Sequence, residues 1–92
     1  MINQCFIFHT DSHHGWLEVT IHQLKELGLK TDDFSKRSYR SGNNVYLEED
    51  CDANKFLAAY KKKYHKYPAC SEEHTNNDSF VRGLPSISVE VN

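Results

Sequence analysis

The stretch from Phe6 to Val19, FIFHTDSHHGWLEV, constrains the fold more than any other part of the sequence. Its first run, Cys5–Phe8, is rich in β-favouring side chains and apolar throughout, as expected of a central strand. Its second run, Trp16–Val19, alternates between two faces. Asp11 and Gly15, which favour turns, lie between the runs. The pattern predicts a β-hairpin with a loop of about six residues.

A short helix is predicted directly after this hairpin. Thr20 is a favourable N-cap, and Gln23 follows it at the capping-box spacing. Gly28 suits the residue that ends a helix in a left-handed conformation. The apolar stripe of this helix consists of Ile21, Leu24 and Leu27.

A second hairpin is predicted where Arg37–Arg40 and Val45–Glu48 flank the turn-forming Ser41–Asn44. The preceding segment, Thr31–Lys36, is compatible with either a loop or a single helical turn anchored by Phe34.

The strongest helix signal covers Asp52–His65. Acidic residues at Glu48–Asp52 suit its N-terminus, lysines suit its C-terminus, and Pro68 stops it. Its apolar face comprises Ala53, Phe56, Leu57, Tyr60 and Tyr64.

The remaining segments are less regular. Cys70–Asp78 is polar and aperiodic, which predicts an exposed loop, and Phe80–Leu84 is short and interrupted by glycine. Alternating apolar residues at Ile87, Val89 and Val91 predict a last strand that pairs with the sheet.

These elements predict an α+β fold in a single small domain, residues 1–92. We expect a mostly antiparallel sheet of four to five strands, with the long helix across one face and the short helix beside it. The formal net charge of −2 at pH 7 argues against sequence-independent nucleic-acid binding, which normally needs excess Lys and Arg.

The three cysteines, Cys5, Cys51 and Cys70, show no CxxC spacing. The N-terminal MINQCFIFHTD contains no basic region followed by a long apolar run. We therefore expect a cytoplasmic protein with reduced thiols that are buried as small hydrophobic residues.

The histidine-rich turn is the main candidate for chemistry. His9, His13 and His14, with Cys5 and Asp11 nearby, could supply zinc ligands, completed by one of His22, Cys51 or His74. Alternatively, Cys5 or Ser12 could act as a nucleophile with a neighbouring histidine as base and Asp11 orienting it. The spacing matches no zinc signature and no catalytic motif, so we predict no metal, no cofactor and no enzymatic activity.

Residues suited to contacting a partner lie elsewhere. They are Trp16, Tyr39, Arg40, Tyr46, Lys61, Lys62 and Lys63. Aromatic and arginine side chains are enriched in protein interfaces, and clustered lysines can meet phosphate or acidic surfaces. Trp16 has a structural alternative, a second small hydrophobic cluster with Phe6, Phe8 or Tyr46. The alternative for the lysines is a solvated helix end.

The segments FHTDSHHGWLEV, KELGL and SYRSGNNVYLEEDCDANKFL, with a weaker match in DSFVRGLPSI, resemble a group of small uncharacterised proteins of bacterial tailed phages, prophages and mobile elements. The resemblance implies a bacterial host cytoplasm and no established activity. It favours a role directed at the host.

The predicted function is therefore stoichiometric binding of a host protein, for example to inhibit a component of a bacterial defence system. An accessory nucleic-acid-binding protein is the alternative, and a metal-dependent module built on the histidine turn is a third. Self-association is compatible with the opposite charges at the two ends of the long helix.

Overall fold

The computed structural model describes residues 5–87 and begins with the predicted hairpin. Strand β1, Cys5–Thr10, pairs antiparallel with β2, Gly15–Thr20. The loop between them is shorter than expected because the strands extend to Thr10 and Gly15. Within it, the Asp11 N–H donates to the His14 carbonyl over 2.9 Å.

Helix α1, Ile21–Glu26, begins and ends as predicted. The Thr20 hydroxyl accepts from the Gln23 N–H, and the Gln23 side chain accepts from the Thr20 N–H, at 3.1 and 2.8 Å. Gly28 has a φ of +74°, and the N–H groups of Gly28 and Leu29 donate back to the last turn. These are the hydrogen bonds of a Schellman motif, which satisfy carbonyl groups at a helix C-terminus.

The second hairpin is also confirmed. Thr31–Asp33 forms a 3₁₀ turn that leads into buried Phe34. Strand β3, Tyr39–Ser41, then pairs antiparallel with β4, Asn44–Glu48. Gly42 in the connecting turn has a φ of +59°, which glycine adopts without a steric penalty.

Helix α2, Asp52–Tyr64, ends one residue before the predicted boundary. The predicted loop over Cys70–Asp78 is wrong for its first half. Residues Ala69–His74 form strand β5, which pairs in parallel with β1. Strand β4, helix α2 and strand β5 follow one another along the chain, which is the usual way to connect parallel strands. Strand β5 is exposed and is held by backbone pairing, so its sequence does not need alternating hydrophobic residues.

The five strands form one sheet in the order β3-β4-β2-β1-β5. Three of its four pairings are antiparallel, so the predicted α+β fold with a mostly antiparallel sheet is confirmed. The predicted last strand lies almost entirely outside the described residues. Its described beginning forms a bridge between Ser86 and Tyr39.

One side of the sheet, here called the helix face, carries the main core. Phe56 and Tyr60 of α2 contact Phe6 of β1, with ring centroids 5.5 and 5.9 Å apart from the Phe6 ring. The other buried members of this cluster are Leu17, Val19, Leu24, Phe34, Val45, Leu47, Ala53 and Ile87. Burial of these side chains is the main contribution to the stability of the fold.

The N-terminus of α2 is fixed by a buried carboxylate. Asp52 accepts hydrogen bonds from the Ser35 N–H, the Ser35 hydroxyl and the Ser38 hydroxyl at 2.9, 2.8 and 2.5 Å. The Ser38 hydroxyl in turn accepts from the Glu48 N–H at 2.9 Å. The network therefore ties the segment before β3 to both α2 and β4.

Candidate functional site

The opposite side of the sheet, here called the second face, carries a smaller cluster of Trp16, Tyr46 and Val81. The 79–84 segment, which contains the 3₁₀ turn Phe80–Gly83, covers part of this face. Trp16 and Tyr46 are only 3% and 5% exposed, so neither ring is accessible for the predicted partner contact. The predicted cluster of Trp16 with Tyr46 forms, whereas Phe6 and Phe8 pack on the helix face. Burial raises the pKa of the Tyr46 hydroxyl, and the nearby Glu18 carboxylate raises it further.

An ion pair between Asp11 and Arg82, here called the clamp, fastens the 79–84 segment to the first hairpin. Arg82 Nε and Nη2 donate to the two Asp11 oxygens at 2.6 and 3.0 Å. The same carboxylate accepts from the N–H groups of His13, His14 and Ser79. Arg82 is the main reason that the pKa of Asp11 lies far below its usual range, and the backbone donors reinforce the effect. The Arg82 guanidinium also lies over the Trp16 ring, 5.4 Å from its centroid.

The histidines of the turn do not converge on one site. His9 is buried on the second face, where its Nε2 lies 2.7 Å from Glu18 Oε1 and its ring contacts Tyr46 and Phe80. His13 and His14 are exposed on the loop. Over residues 5–87, no group of three His, Cys, Asp or Glu residues is arranged to hold a metal ion. Asp11 is occupied by the clamp, which explains its position without a catalytic role.

The cysteines are also placed differently from the prediction. Cys5, Cys51 and Cys70 are all exposed, so the expectation that they are buried is wrong. Cys5 and Cys70 lie on adjacent strands at the β5 side of the sheet, and Cys51 precedes α2.

The other predicted contact residues lie apart: Tyr39 is on the second face, Arg40 is on the helix face of β3, and the three lysines are at the end of α2. Tyr39 packs against Trp16 with ring centroids 6.1 Å apart, and Arg40 Nε donates to the Gly42 carbonyl at 2.9 Å. Lys61, Lys62 and Lys63 are exposed in the last turn of α2. The ammonium group of Lys61 lies over the Tyr67 ring, whereas Lys63 Nζ donates to the Glu26 carbonyl. Because Tyr39 and Arg40 point to opposite faces of the sheet, the predicted residues do not form one contact surface.

The two edges of the sheet differ. Along β3, the Arg40 N–H donates to the Pro85 carbonyl, and the Ile87 N–H donates to the Ser38 carbonyl. Residues 85–87 therefore cover that edge. In the part of the chain that the structure describes, β5 pairs only with β1, and all six of its residues are exposed. An edge of this kind presents unpaired backbone donors and acceptors.

The outward-facing backbone groups of β5 can be identified from the parallel ladder. The Thr75 N–H donates to the Thr10 carbonyl at 3.0 Å. Because backbone groups alternate sides along a strand, the N–H groups of Ser71 and Glu73 face β1. Those of Cys70, Glu72 and His74 therefore face away from the sheet.

Two exposed aromatic residues flank this edge. Tyr67, just before β5, is 63% exposed, and Phe80, which contacts His9 beside Glu73, is 58% exposed. Next to Phe80 lies a pocket of about 300 Å³. Its lining includes Glu73 and His74 at the end of β5, and Asp78 in the loop that follows.

The 79–84 segment and β5 are the functional candidates that sequence reasoning missed. The carboxylate of Asp11 and the guanidinium of Arg82 belong to residues separated by 71 positions, and no local pattern links them. A usable signal existed for β5, since a strand followed by a helix often continues into a parallel strand.

Comparison of the chain with protein families, with curated proteins and with solved structures gives no match. Among the described residues, neither helix is sufficiently long and apolar to cross a membrane.

Proposed function

We propose that this chain is a non-enzymatic binding protein that engages another protein by adding an extended segment of that partner to the outer edge of β5. The observation that carries the proposal is the contrast between the two edges: residues 85–87 cover β3, whereas β5 is exposed along its whole length. Strand addition uses the unpaired N–H and C=O groups for affinity and the alternating side chains for specificity.

The side chains of β5 favour a basic partner segment. Glu72 and Glu73 point to opposite faces of the sheet, and both are exposed. A second copy paired antiparallel through β5 would bring four carboxylates together, and like charges across strands are destabilising. A partner strand with Lys or Arg would instead gain opposite-charge pairs.

The pocket beside Phe80 supports the same preference. Glu73 and Asp78 line it together with the exposed Phe80 ring. A lysine or arginine of the added strand could place its charge between the carboxylates and against the aromatic face, which attracts cations.

The partner that we propose is a bacterial host protein in the cytoplasm, for example a component of a defence system, because the sequence resembles phage and mobile-element proteins. Tyr39, Arg40 and the α2 lysines remain candidate secondary contacts.

The experiment is affinity purification from lysate of the bacterial host with three baits: the wild type, Glu72→Pro and Glu72→Gln. Proline removes the outward N–H at this position, whereas glutamine retains that N–H and removes the charge. We expect the wild type to capture a specific partner, glutamine to retain part of the binding, and proline to abolish it while the thermal unfolding temperature changes little. A partner captured equally by the proline variant, or no specific partner, would refute strand addition at β5.

Nucleic-acid binding is the alternative function, and the same protein can be tested for it. The exposed Lys61, Lys62 and Lys63 form a basic patch at the end of α2 that could contact phosphate groups. Salt-dependent binding of a DNA duplex or RNA that is lost when all three lysines become glutamine would replace the proposed function with that of a nucleic-acid-binding accessory protein.

A further inference from the structure

A second pocket lies on the second face, on the other side of the 79–84 segment from Phe80. It has a volume of about 420 Å³, which is within the usual range for small-molecule sites. Its lining consists of His14, Trp16, Arg37, Tyr39, Glu48 and Arg82, here called the tryptophan pocket. Neither the β5 edge nor its flanking aromatic residues contribute to it.

Two hydrogen-bond donors of this pocket have no acceptor within residues 5–87. The guanidinium of exposed Arg37 forms neither an ion pair nor a hydrogen bond there. The indole N–H of Trp16, which is buried, also has no hydrogen-bond partner in that range. Buried donors are rarely left without an acceptor in folded proteins, so this one requires an explanation.

The other charged side chains of the pocket already have hydrogen-bond partners. Asp11 neutralises Arg82 through the clamp. The oxygens of Glu48 accept from the N–H groups of Asp50 and Cys51 at 3.0 and 3.4 Å. Arg37 is therefore the charged side chain of the lining that has neither an ion pair nor a side-chain hydrogen bond among the described residues.

We propose that the tryptophan pocket binds the carboxylate or phosphate group of a small molecule, with Arg37 as the charge partner of that group. A guanidinium matches the paired oxygens of either anion and can donate to both. Half-buried Tyr39, packed against Trp16, supplies an aromatic wall for the body of the ligand. Because Arg37 is the charged side chain of the lining without a partner among residues 5–87, an anionic ligand complements the pocket better than a cation.

The single tryptophan of the chain makes this proposal directly measurable. The full chain is titrated separately with inorganic phosphate, benzoate and adenosine 5′-monophosphate, with sodium chloride of equal ionic strength as the reference. Tryptophan fluorescence and the indole N–H resonance in ¹H–¹⁵N NMR spectra report on Trp16. We expect a saturable change with at least one probe, and the ranking of the three distinguishes phosphate from carboxylate recognition.

Two variants of equal charge change test the role of Arg37. Arg37→Gln should weaken the binding at least about tenfold, because it removes charge-assisted hydrogen bonds. Lys36→Gln, at the neighbouring exposed position outside the pocket, should bind like the wild type. No saturable change with any probe, or equal weakening in both variants, would overturn the proposal. Partner capture through β5 is independent of either result.

Discussion

The two faces of the sheet are buried in different ways. On the helix face, α1 and α2 cover a continuous apolar cluster that extends from Phe6 to Leu47 across three strands. On the second face, a much smaller cluster around Trp16 is closed by the 79–84 segment. Polar pairs complete the closure there, namely the clamp and the contact of His9 with Glu18.

Because of this difference, the helix face contributes most of the stability, and the second face offers most of the candidate binding sites. The buried residues of the helix-face cluster are occupied by packing, so they are not available to a ligand or partner. The second face combines buried charges, the two pockets and exposed Phe80 within a short distance. Functional contacts are therefore expected at its margins and along β5.

The largest expected effect comes from truncating the same residue type on each face. Phe56→Ala removes a ring that is 1% exposed and should reduce the free energy of unfolding by about 3–5 kcal/mol. Phe80→Ala removes a ring that is mostly exposed and should change it by less than about 0.5 kcal/mol. Urea denaturation followed by circular dichroism measures both. Similar losses in the two variants would contradict the proposed difference between the faces.

A smaller effect is expected from the buried carboxylate at the start of α2. Asp52→Ala leaves the donors of Ser35 and Ser38 without their acceptor and should cost about 1.5–3 kcal/mol. Asp50→Ala, two residues earlier and exposed, is the matched control and should be nearly neutral. Urea denaturation that ranks the two variants equally would show that the Asp52 network contributes little.

The clamp predicts a dependence of stability on pH. Arg82 lowers the pKa of Asp11 from its ordinary value of 3.8. The ionised carboxylate therefore stabilises the folded state above that ordinary pKa, and this contribution is lost as the pH falls toward the lower folded-state pKa. Asp11→Asn should be less stable at neutral pH, and its stability should fall less steeply between about pH 5 and pH 2 than that of the wild type.

Asp78→Asn provides the control for this pH profile. Asp78 is exposed, and its carboxylate lies 3.9 Å from Arg82 Nε. Its replacement should leave the profile close to that of the wild type. If Asp11→Asn also retained the full acid-dependent loss of stability, the clamp would not be a significant contact of the second face.

Much of the helix face could be predicted from the sequence because its signals are local. The capping box of Thr20 and Gln23, the left-handed Gly28 and the turn at Gly42 each specify a backbone conformation within a few residues. The alternation of Leu17 and Val19 identified the buried side of β2. The fold class followed from these elements.

The second face could be predicted less well because its contacts are remote. Asp11 and Arg82 meet only after the whole sheet has formed, and β5 is held by backbone pairing that its polar side chains do not indicate. Trp16 was assigned to a small cluster as one alternative, but the segment that covers it had no clear pattern. The unpaired edge of β5 depends on strand order, which no single segment encodes.

The smallest expected effect concerns the exposed thiols. Cys5, Cys51 and Cys70 should all react with a thiol reagent such as 5,5′-dithiobis(2-nitrobenzoate) in the native state. Cys70 should react more slowly than in the unfolded chain, because burial and the neighbouring Cys5 raise the pKa of its thiol. Replacement of each by serine should change the free energy of unfolding by less than about 0.5 kcal/mol. A thiol that reacts only after denaturation would be buried after all.

The open edge of β5 can be tested most directly by native-state hydrogen exchange, resolved for single amides by NMR. We expect alternating protection along the strand: slow exchange at Ser71 and Glu73, whose N–H groups face β1, and fast exchange at Cys70, Glu72 and His74. This pattern should not change with protein concentration, and the fast amides should become protected when the captured partner is added. Uniformly fast exchange would mean that β5 is not a strand, and protection of all five amides in the free protein would mean that its edge is already covered.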